Sequence, residues 1–287
     1  MKYGFTYFPT PDSARPDRVA VEAERLGFEA MFVPEHSHMP VDTPWPFGPE
    51  VPMMYKSILD PFVSLGAAAA VTEKIKLGTA IALITQRDPF NCAKEIATLD
   101  QLSNGRVILG IGAGWNEPEM ENHGTDPKTR FRLMRERVEA MKQLWTQDEA
   151  EYHGRHVDFA PTWQFPKPVQ KPHPPILVGG AGENVIKRVV AYGDGWLPAL
   201  TVQFDESFRG RMTPVSELPQ IVEEMRSLSK AAGRETPKIT AGAGVLEVYS
   251  ISELEDLEVN RINLGLASVP EPEAFAQLEK MAKTITA

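Results

Sequence analysis

The stretch Arg106-Val-Ile-Leu-Gly-Ile-Gly-Ala-Gly-Trp115 decides which fold class this chain is predicted to adopt. Its first half is continuously apolar, which is typical of a parallel strand that is buried on both faces. The run then breaks into alternate glycines, whose missing β-carbons allow a backbone or a flat ligand to come close. A second apolar run, residues 175–178, ends in the same way in the glycine-rich residues 179–182. Two buried strands that open into glycines predict one shared ligand site.

Strand-like and helix-like segments alternate along the chain on both sides of this stretch. The predicted strands are residues 3–8, 30–33, 75–84, 107–111, 176–178, 193–198, 238–245 and 260–264. Amphipathic segments separate them, and several begin at residues that favour a helix start, such as Pro16, Pro61 and Asp88-Pro89. Eight strand-helix units predict an α/β fold, a (β/α)8 TIM barrel with insertion loops, as a single domain over residues 1–287.

Two segments interrupt this alternation. Residues 39–56 are rich in proline and aromatic residues without any period, which predicts a long loop. The aromatic content favours a lid over a disordered tail. Residues 152–175 have a similar composition and predict a short hairpin rather than a helix.

Composition and charge exclude several classes of partner. The chain has 287 residues and a net charge of -9, whereas nucleic acid and anionic membranes require basic surface. The lone Cys92 leaves no intrachain disulfide and no zinc-type spacing, which favours a reducing cytoplasm. No apolar run approaches about 18 residues, and the first predicted strand leaves no room for a signal peptide. We therefore expect a cytoplasmic protein that acts on a small molecule.

A barrel of this kind carries its reactive groups at the carboxyl ends of its strands. The candidate site residues at these ends are Phe8, Glu35, His36, Thr79, Ala80, Ile81, Gly112, Ala113, Gly114, Trp115, Gly179, Gly180, Ala181 and Gly182. Residues 179–182 precede a predicted helix, where free backbone N–H groups and the helix dipole favour an anion such as a phosphate. The alternative for this loop is a tight turn. Lys187 and Arg188, one turn into that helix, either meet the anion or point into solvent, and at least one of them is expected in solvent.

The Glu35-His36 pair is the strand-end cluster with the clearest proton chemistry. A histidine that titrates near neutrality is able to donate a proton to a substrate or polarise a cofactor ring. The alternative is that His36 and His38 only satisfy backbone carbonyls beneath the proline-rich loop. Metal binding by Glu35, His36 and His38 is disfavoured, because adjacent residues of an extended segment point to opposite faces.

Five segments of the chain carry a resemblance to a known family. They are GFEAMFVPEH at 27–36, IKLGTAI at 75–81, ATLDQLSNGRVILGIGAGW at 97–115, PHPPILVGG at 172–180 and GDGWLP at 193–198. In this order the chain resembles the bacterial-luciferase-like family of flavin and deazaflavin enzymes, in particular its F420-dependent oxidoreductase branch. The resemblance covers roughly residues 1–200.

The resemblance implies a cofactor in the mouth of the barrel at the carboxyl ends of the strands. Glu35 and His36 would flank its ring, a non-proline cis peptide would lie near Ala80-Ile81, and residues 179–182 would bind its phosphate. Family relatives also tend to pair, which implies a homodimer. The chain departs from the sugar-phosphate dehydrogenases of the family, because Trp115 stands where they carry a carboxylate, and Glu117 follows two residues later. This departure argues against a sugar phosphate as substrate.

The implied function is that of an F420-dependent oxidoreductase, which transfers a hydride between the deazaflavin and a small organic substrate. His36 would supply or accept the proton. An FMN-dependent luciferase-like monooxygenase is the alternative within enzymes, because the same strand ends would serve FMN. A non-catalytic flavin-binding protein is a second alternative, which the presence of a proton donor beside the phosphate loop disfavours.

Overall fold

Among residues 1–286, which the computed structural model describes, eight parallel strands form a closed barrel. In chain order the barrel strands are Lys2–Tyr7, Ala30–Val33, Lys76–Thr79, Val107–Gly112, Ile176–Gly180, Gly195–Pro198, Lys238–Gly242 and Val259–Leu266. The barrel closes where the first strand pairs with the eighth, with Gly4 opposite Asn263. The predicted (β/α)8 fold is confirmed.

After each barrel strand a helix covers the outside of the sheet. These helices are Pro16–Arg25, Pro61–Ala69, Pro89–Leu102, Arg130–Thr146, Val185–Tyr192, Leu218–Ala231, Ile251–Asp256 and Glu271–Thr286. The short helices Met53–Lys56 and Glu117–Asn122 are additional to these eight. The predicted starts are confirmed, since the Asp60 and Asp88 side chains each accept a hydrogen bond from a backbone N–H of the first turn. None of the described helices is both long and apolar enough to cross a membrane.

The third strand differs from its prediction. Residues 75–84 were predicted as one strand, but the strand Lys76–Thr79 is followed by a cis Ala80-Ile81 peptide and then by the short strand Ala82–Leu83. The third strand approaches the fourth so closely that a β-carbon at Gly110 would lie 2.0 Å from the Thr79 carbonyl oxygen. The position implied for the cis peptide is therefore confirmed, while the continuous strand is wrong. The seventh strand is also shorter than predicted, because residues after Gly242 form the 3-10 turn Ala243–Glu247.

The two insertions adopt different structures. The antiparallel strands Ala150–His153 and Asp158–Thr162 form the predicted hairpin. The segment 39–56 contains only the short helix Met53–Lys56. Its Trp45 packs against Tyr55, with ring centroids 4.7 Å apart, and against Trp115 at 5.4 Å. The aromatic residues of this loop therefore attach it to the carboxyl end of the barrel.

The barrel interior is apolar on one side and polar on the other. A buried apolar cluster inside the barrel is built by strands two to six and consists of Ala30, Phe32, Ile108 and Leu177 with Ala80 and Leu197 packed against it. On strands seven and eight the interior is polar, since Arg261 donates to the Thr240 hydroxyl at 3.0 Å and forms a two-pronged ion pair with Glu29. The same asymmetry continues into the mouth of the barrel.

Candidate functional site

A cavity of about 760 Å³ opens at the carboxyl ends of the barrel strands. Nine of the predicted site residues line it, namely Ala80, Ile81, Gly112, Ala113, Gly114, Trp115, Gly179, Gly180 and Ala181. Lining residues outside the predicted set include Thr6, Pro46, Phe47, Glu117, Arg130, Phe131, Leu197, Arg211, Thr240 and Asn263. The cavity lies where a (β/α)8 barrel carries its reactive groups.

The glycines of the two glycine-rich strands accommodate neighbouring protein atoms. A β-carbon at Gly112 would lie 2.3 Å from Ile81 Cδ1, and one at Gly179 would lie 2.6 Å from Ile81 Cγ2. The space that these glycines leave is therefore filled by Ile81, which itself lines the cavity floor. Gly180 differs, because its φ of +116° requires glycine and its missing side chain leaves open space.

Arg188 lies at the cavity without an anionic partner. Its guanidinium makes no hydrogen bond or ion pair within residues 1–286 and stacks on the Phe131 ring at 4.1 Å. Burial lowers the pKa of Arg188 below its usual value, because desolvation penalises the charged form. Lys187 is exposed and bonds to Asn184, so at least one of the two cations is in solvent, as predicted.

The charge of the cavity wall around Arg188 is positive. Arg130 and Arg211 also line the cavity, against the single carboxylate of Glu117. Glu117 lies 3.6 Å from Arg130 Nη1 and is largely exposed, so it compensates only part of this charge. The protein is acidic as a whole, and a cluster of three arginines in its cavity therefore fits an anionic ligand.

The glycine-rich loop adds unpaired backbone donors beside Arg188. In the described chain, the backbone N–H groups of Gly182, Glu183 and Asn184 donate to no protein acceptor. The helix Val185–Tyr192 begins directly after them, so its dipole also favours a negative charge there. Gly182, Glu183 and Asn184 line a second cavity, which shares Gly210 with the first.

Glu35 is turned away from the cavity. Its carboxylate is buried and accepts hydrogen bonds from the Leu83 N–H at 2.6 Å and from Arg87 Nε at 2.7 Å. Both oxygens are therefore engaged in joining the end of the second strand to the segment after the cis peptide. The structure does not bring Glu35 and His36 together on one ligand.

His36 is paired with a carboxylate that the sequence did not reveal. Its Nδ1 lies 2.8 Å from Glu119 Oε2, and the other oxygen of the fully buried Glu119 accepts from the Ser37 N–H at 3.0 Å. The imidazole does not line the cavity itself but packs against Trp115, which does. The centroids of the two rings are 5.6 Å apart. Glu119 is two residues beyond the exposed Glu117 in the short helix Glu117–Asn122, and nothing in the local pattern distinguishes the two.

Two other predicted residues also lie outside the cavity wall. Phe8 packs on Tyr55, with ring centroids 5.0 Å apart. The Thr79 hydroxyl donates to the Gly110 carbonyl at 2.6 Å and so helps to join the third and fourth strands. Across the described residues, no group of three histidine, cysteine or acidic side chains is arranged to hold a metal ion.

Comparison with known proteins places the chain in a family. The family model described as luciferase-like monooxygenase matches residues 9–255. The chain belongs to this family. The protein named "Uncharacterized protein Rv0953c", from Mycobacterium tuberculosis, is 40% identical to this luciferase-like chain over 290 residues, which cover 98% of both.

Relatives of this luciferase-like chain include enzymes with different cofactors. An FMNH(2)-dependent dimethylsulfone monooxygenase of Pseudomonas putida is 37% identical over 129 residues, which cover 43% of this chain and 35% of the relative. An F420-dependent glucose-6-phosphate dehydrogenase of Amycolatopsis mediterranei is 29% identical over 186 residues, which cover 62% and 51%. Relatives therefore use either a flavin or a deazaflavin.

Solved structures share the fold of this luciferase-like chain. The monooxygenase RslO1 from Streptomyces bottropensis superposes with a TM-score of 0.80 at 20% identity, over 100% of this chain and 99% of the other. An F420-dependent secondary alcohol dehydrogenase superposes with a TM-score of 0.74 at 17% identity, over 99% and 98%. At these identities the likeness concerns the fold.

The side chains of the cavity fit a cofactor that combines a flat ring with an anionic tail. The unpaired guanidinium of Arg188 provides donors for the anion, and the free amides of residues 182–184 line the adjoining cavity. Ala80, Ile81 and Trp115 provide an apolar surface for a ring. Phe47, from the segment 39–56, lines the same cavity from the loop side. A flavin or a deazaflavin has both parts.

Proposed function

We propose that this protein is an F420-dependent oxidoreductase that transfers a hydride between the deazaflavin and a small organic substrate. The observation that carries the proposal is the half-buried Arg188, whose guanidinium has no protein partner and which lines the cavity together with Arg130 and Arg211. F420 carries several negative charges along its tail, whereas FMN carries a single phosphate. Three arginines against one carboxylate therefore favour F420 over FMN.

The residues of the barrel mouth divide into two tasks. Arg188, Arg130 and the loop 179–182 would hold the anionic tail, while Ala80, Ile81 and residues 112–115 would bind the ring. The deazaflavin, when bound, supplies or takes up the hydride. The loop 39–56, attached through Trp45, would exclude water from the cavity. Glu35 would act only by holding Leu83 and Arg87 in place.

His36 would hold the proton that accompanies the hydride. When His36 Nδ1 donates to Glu119, its Nε2 is the atom that donates or accepts a proton. The buried Glu119 carboxylate keeps the ring in this orientation. Trp115 lines the cavity and contacts His36. For the proton to pass between His36 and the substrate, either the Trp115 ring would move aside or a water molecule would connect the two groups.

Equilibrium titration of the purified protein with F420 and, separately, with FMN tests the proposed cofactor. We expect F420 to bind at least about 10-fold more tightly than FMN, since it offers more anionic groups to the arginines. The reverse preference would overturn the proposal in favour of an FMN-dependent monooxygenase, the function named for the Pseudomonas putida relative. Bound F420 that no hydride donor or acceptor turns over would instead favour a non-catalytic binding protein.

The proposed proton transfer predicts a large effect of His36→Ala on turnover. The oxidation of reduced F420 by menadione should slow about 100-fold, as expected for the loss of a general acid or base, while the F420 dissociation constant changes little. Glu119→Gln should show a smaller loss of the same kind. His123→Ala is the matched control, because His123 bonds to the exposed Ser37 hydroxyl in the same region. Unchanged turnover in His36→Ala would rule out the role of His36.

A further inference from the structure

Asn263 has a buried, unpaired amide beside the cavity. The residue lies on the eighth barrel strand, is only 7% exposed, and lines the cavity. Neither its Oδ1 nor its Nδ2 has a hydrogen-bond partner among residues 1–286. Buried amides without partners are costly, so nearly all of them are hydrogen-bonded in folded proteins. Such an amide in a cavity wall indicates a partner that comes from a ligand.

The first strand makes room for this amide. Gly4 pairs with Asn263 across the barrel closure, and a β-carbon at position 4 would lie 2.7 Å from Asn263 Oδ1. Any other residue at position 4 would therefore push the amide out of its place. The side chain is held at the cavity by packing, while its polar atoms are left unpaired.

The cavity wall around Asn263 carries no charged side chain within the described residues. Strands seven, eight and one contribute Thr6, Thr240, Gly242, Ala243, Asn263, Leu264 and Gly265 to the lining. Arg261 lies beneath them, but its charge is compensated by Glu29. The closed strand order places the eighth strand across the barrel from the fourth, which precedes Arg130, while Arg188 and Arg211 follow the fifth and sixth strands. A charged ligand group would be left uncompensated on this wall.

We propose that Asn263 recognises the substrate, and that the substrate is a small uncharged molecule with a carbonyl oxygen next to an N–H or O–H group. The amide offers one acceptor and two donor hydrogens at adjacent atoms, which match such a pair. The proposal rests on the proposed function, because it assigns the arginine side of the cavity to the cofactor. The pyrimidine edge of a deazaflavin carries the same pair of groups, so the test separates these two sources.

The test uses two probes of equal ring size, 2-pyrrolidinone and cyclopentanone, which differ in the N–H group beside the carbonyl. Their binding is measured by ligand-observed NMR on the protein with and without F420. We expect 2-pyrrolidinone to bind about 10-fold more tightly than cyclopentanone, because cyclopentanone leaves donor or acceptor capacity of the amide unpaired. The preference should persist on the F420-loaded protein.

Asn263→Leu removes the amide at nearly constant volume and should abolish the preference between the two probes. Asn260→Leu is the matched control, since Asn260 lies on the same strand at the opposite end of the barrel. It should keep the full preference. Thermal unfolding of both variants reports whether they are folded. Thr240 also lines this wall, and a Thr240→Val variant should reduce the preference less than Asn263→Leu does.

Three outcomes would overturn the proposal. The first is equal binding of the two probes to the unmodified protein, and the second is a preference that survives in Asn263→Leu. The third is loss of 2-pyrrolidinone binding on F420 loading together with weaker F420 binding by Asn263→Leu, which would assign the amide to the cofactor ring. Failure of the unmodified protein to bind F420 would overturn the proposed function alone, because the probe preference is also measured without the cofactor.

Discussion

The two sides of the barrel mouth differ in the charge of their lining side chains. The cationic wall, which we define as the lining residues that follow strands four to six, contains three arginines, part of the glycine-rich loop and one carboxylate, that of Glu117. The neutral wall, which consists of the lining residues of strands seven, eight and one, lacks charge and contains an amide without a partner. Each wall has a polar side chain without a protein partner, Arg188 on one and Asn263 on the other, and the two side chains suit different parts of a ligand.

Glycine is used differently in the two walls. On strands four and five, Gly110, Gly112 and Gly179 would each meet protein atoms within 3 Å if they had a β-carbon. On the neutral wall, Gly242 and Gly265 have nothing within 4 Å. Glycine therefore permits close packing at these three positions of strands four and five, whereas it leaves open space at Gly180 and on the neutral wall. The difference shows that a glycine in a strand-end motif does not by itself identify a ligand contact.

The largest expected effect comes from replacing one glycine on each side of the barrel with alanine and comparing the two losses of stability. Gly110→Ala should lower the free energy of unfolding by about 3 kcal/mol or more, because its β-carbon would strike the Thr79 carbonyl, a backbone atom. Gly242→Ala should change it by less than about 1 kcal/mol, since its backbone is extended and its surroundings are open. Chemical denaturation of both variants makes the comparison. Equal losses of unfolding free energy in the two variants would show that Gly110 and Gly242 do not differ in how closely they are packed.

Removal of Arg188 tests the cationic wall by affinity. Arg188→Met should weaken F420 binding about 10- to 100-fold, the range expected for a hydrogen bond to a charged group, and leave 2-pyrrolidinone binding unchanged. Because burial already lowers the pKa of the unpaired guanidinium, the substitution should not destabilise the cofactor-free protein. Lys187→Met, on the exposed side of the same helix, is the control. An F420 affinity that is the same in both variants would remove Arg188 from the anion site.

The smallest effect is expected on the neutral wall and has the opposite sign. Asn263→Leu should raise the free energy of unfolding of the cofactor-free protein by about 1 kcal/mol, because it removes a buried amide that has no partner. Asn260→Leu should change it by less than about 0.5 kcal/mol. Denaturant titration distinguishes the two. A clear loss of stability in Asn263→Leu would mean that the amide is bonded within the protein and is not held for a ligand.

Much of the scaffold was predictable, because it depends on patterns within one element. Apolar runs bounded by glycine and proline located the eight strands, and Pro61 and Asp88-Pro89 located two helix starts. The third strand was the exception. Its continuous apolar pattern does not reveal that Thr79 lies close to Gly110, because this contact joins residues on different strands.

The candidate site was predictable in its location but less so in its chemistry. Nine predicted residues line the cavity, since strand ends gather at one face of a barrel. Glu35 and His36 are adjacent in sequence, yet Glu35 bonds to Arg87 and His36 to Glu119, which are 52 and 83 residues away. The spacing of titratable residues did not distinguish a cavity residue from one that supports the fold.

The sequence by itself determined the barrel, the glycine-rich strand ends and the family resemblance, because hydrophobic period and backbone freedom are local properties of the chain. Only the tertiary structure decided which polar groups have partners. The pairing of Glu119 with His36, the unpaired guanidinium of Arg188 and the unpaired amide of Asn263 all depend on residues far apart in sequence. A hydrogen bond is satisfied or left open by the neighbours that folding provides, and the polar groups left open carry the functional proposals for this protein.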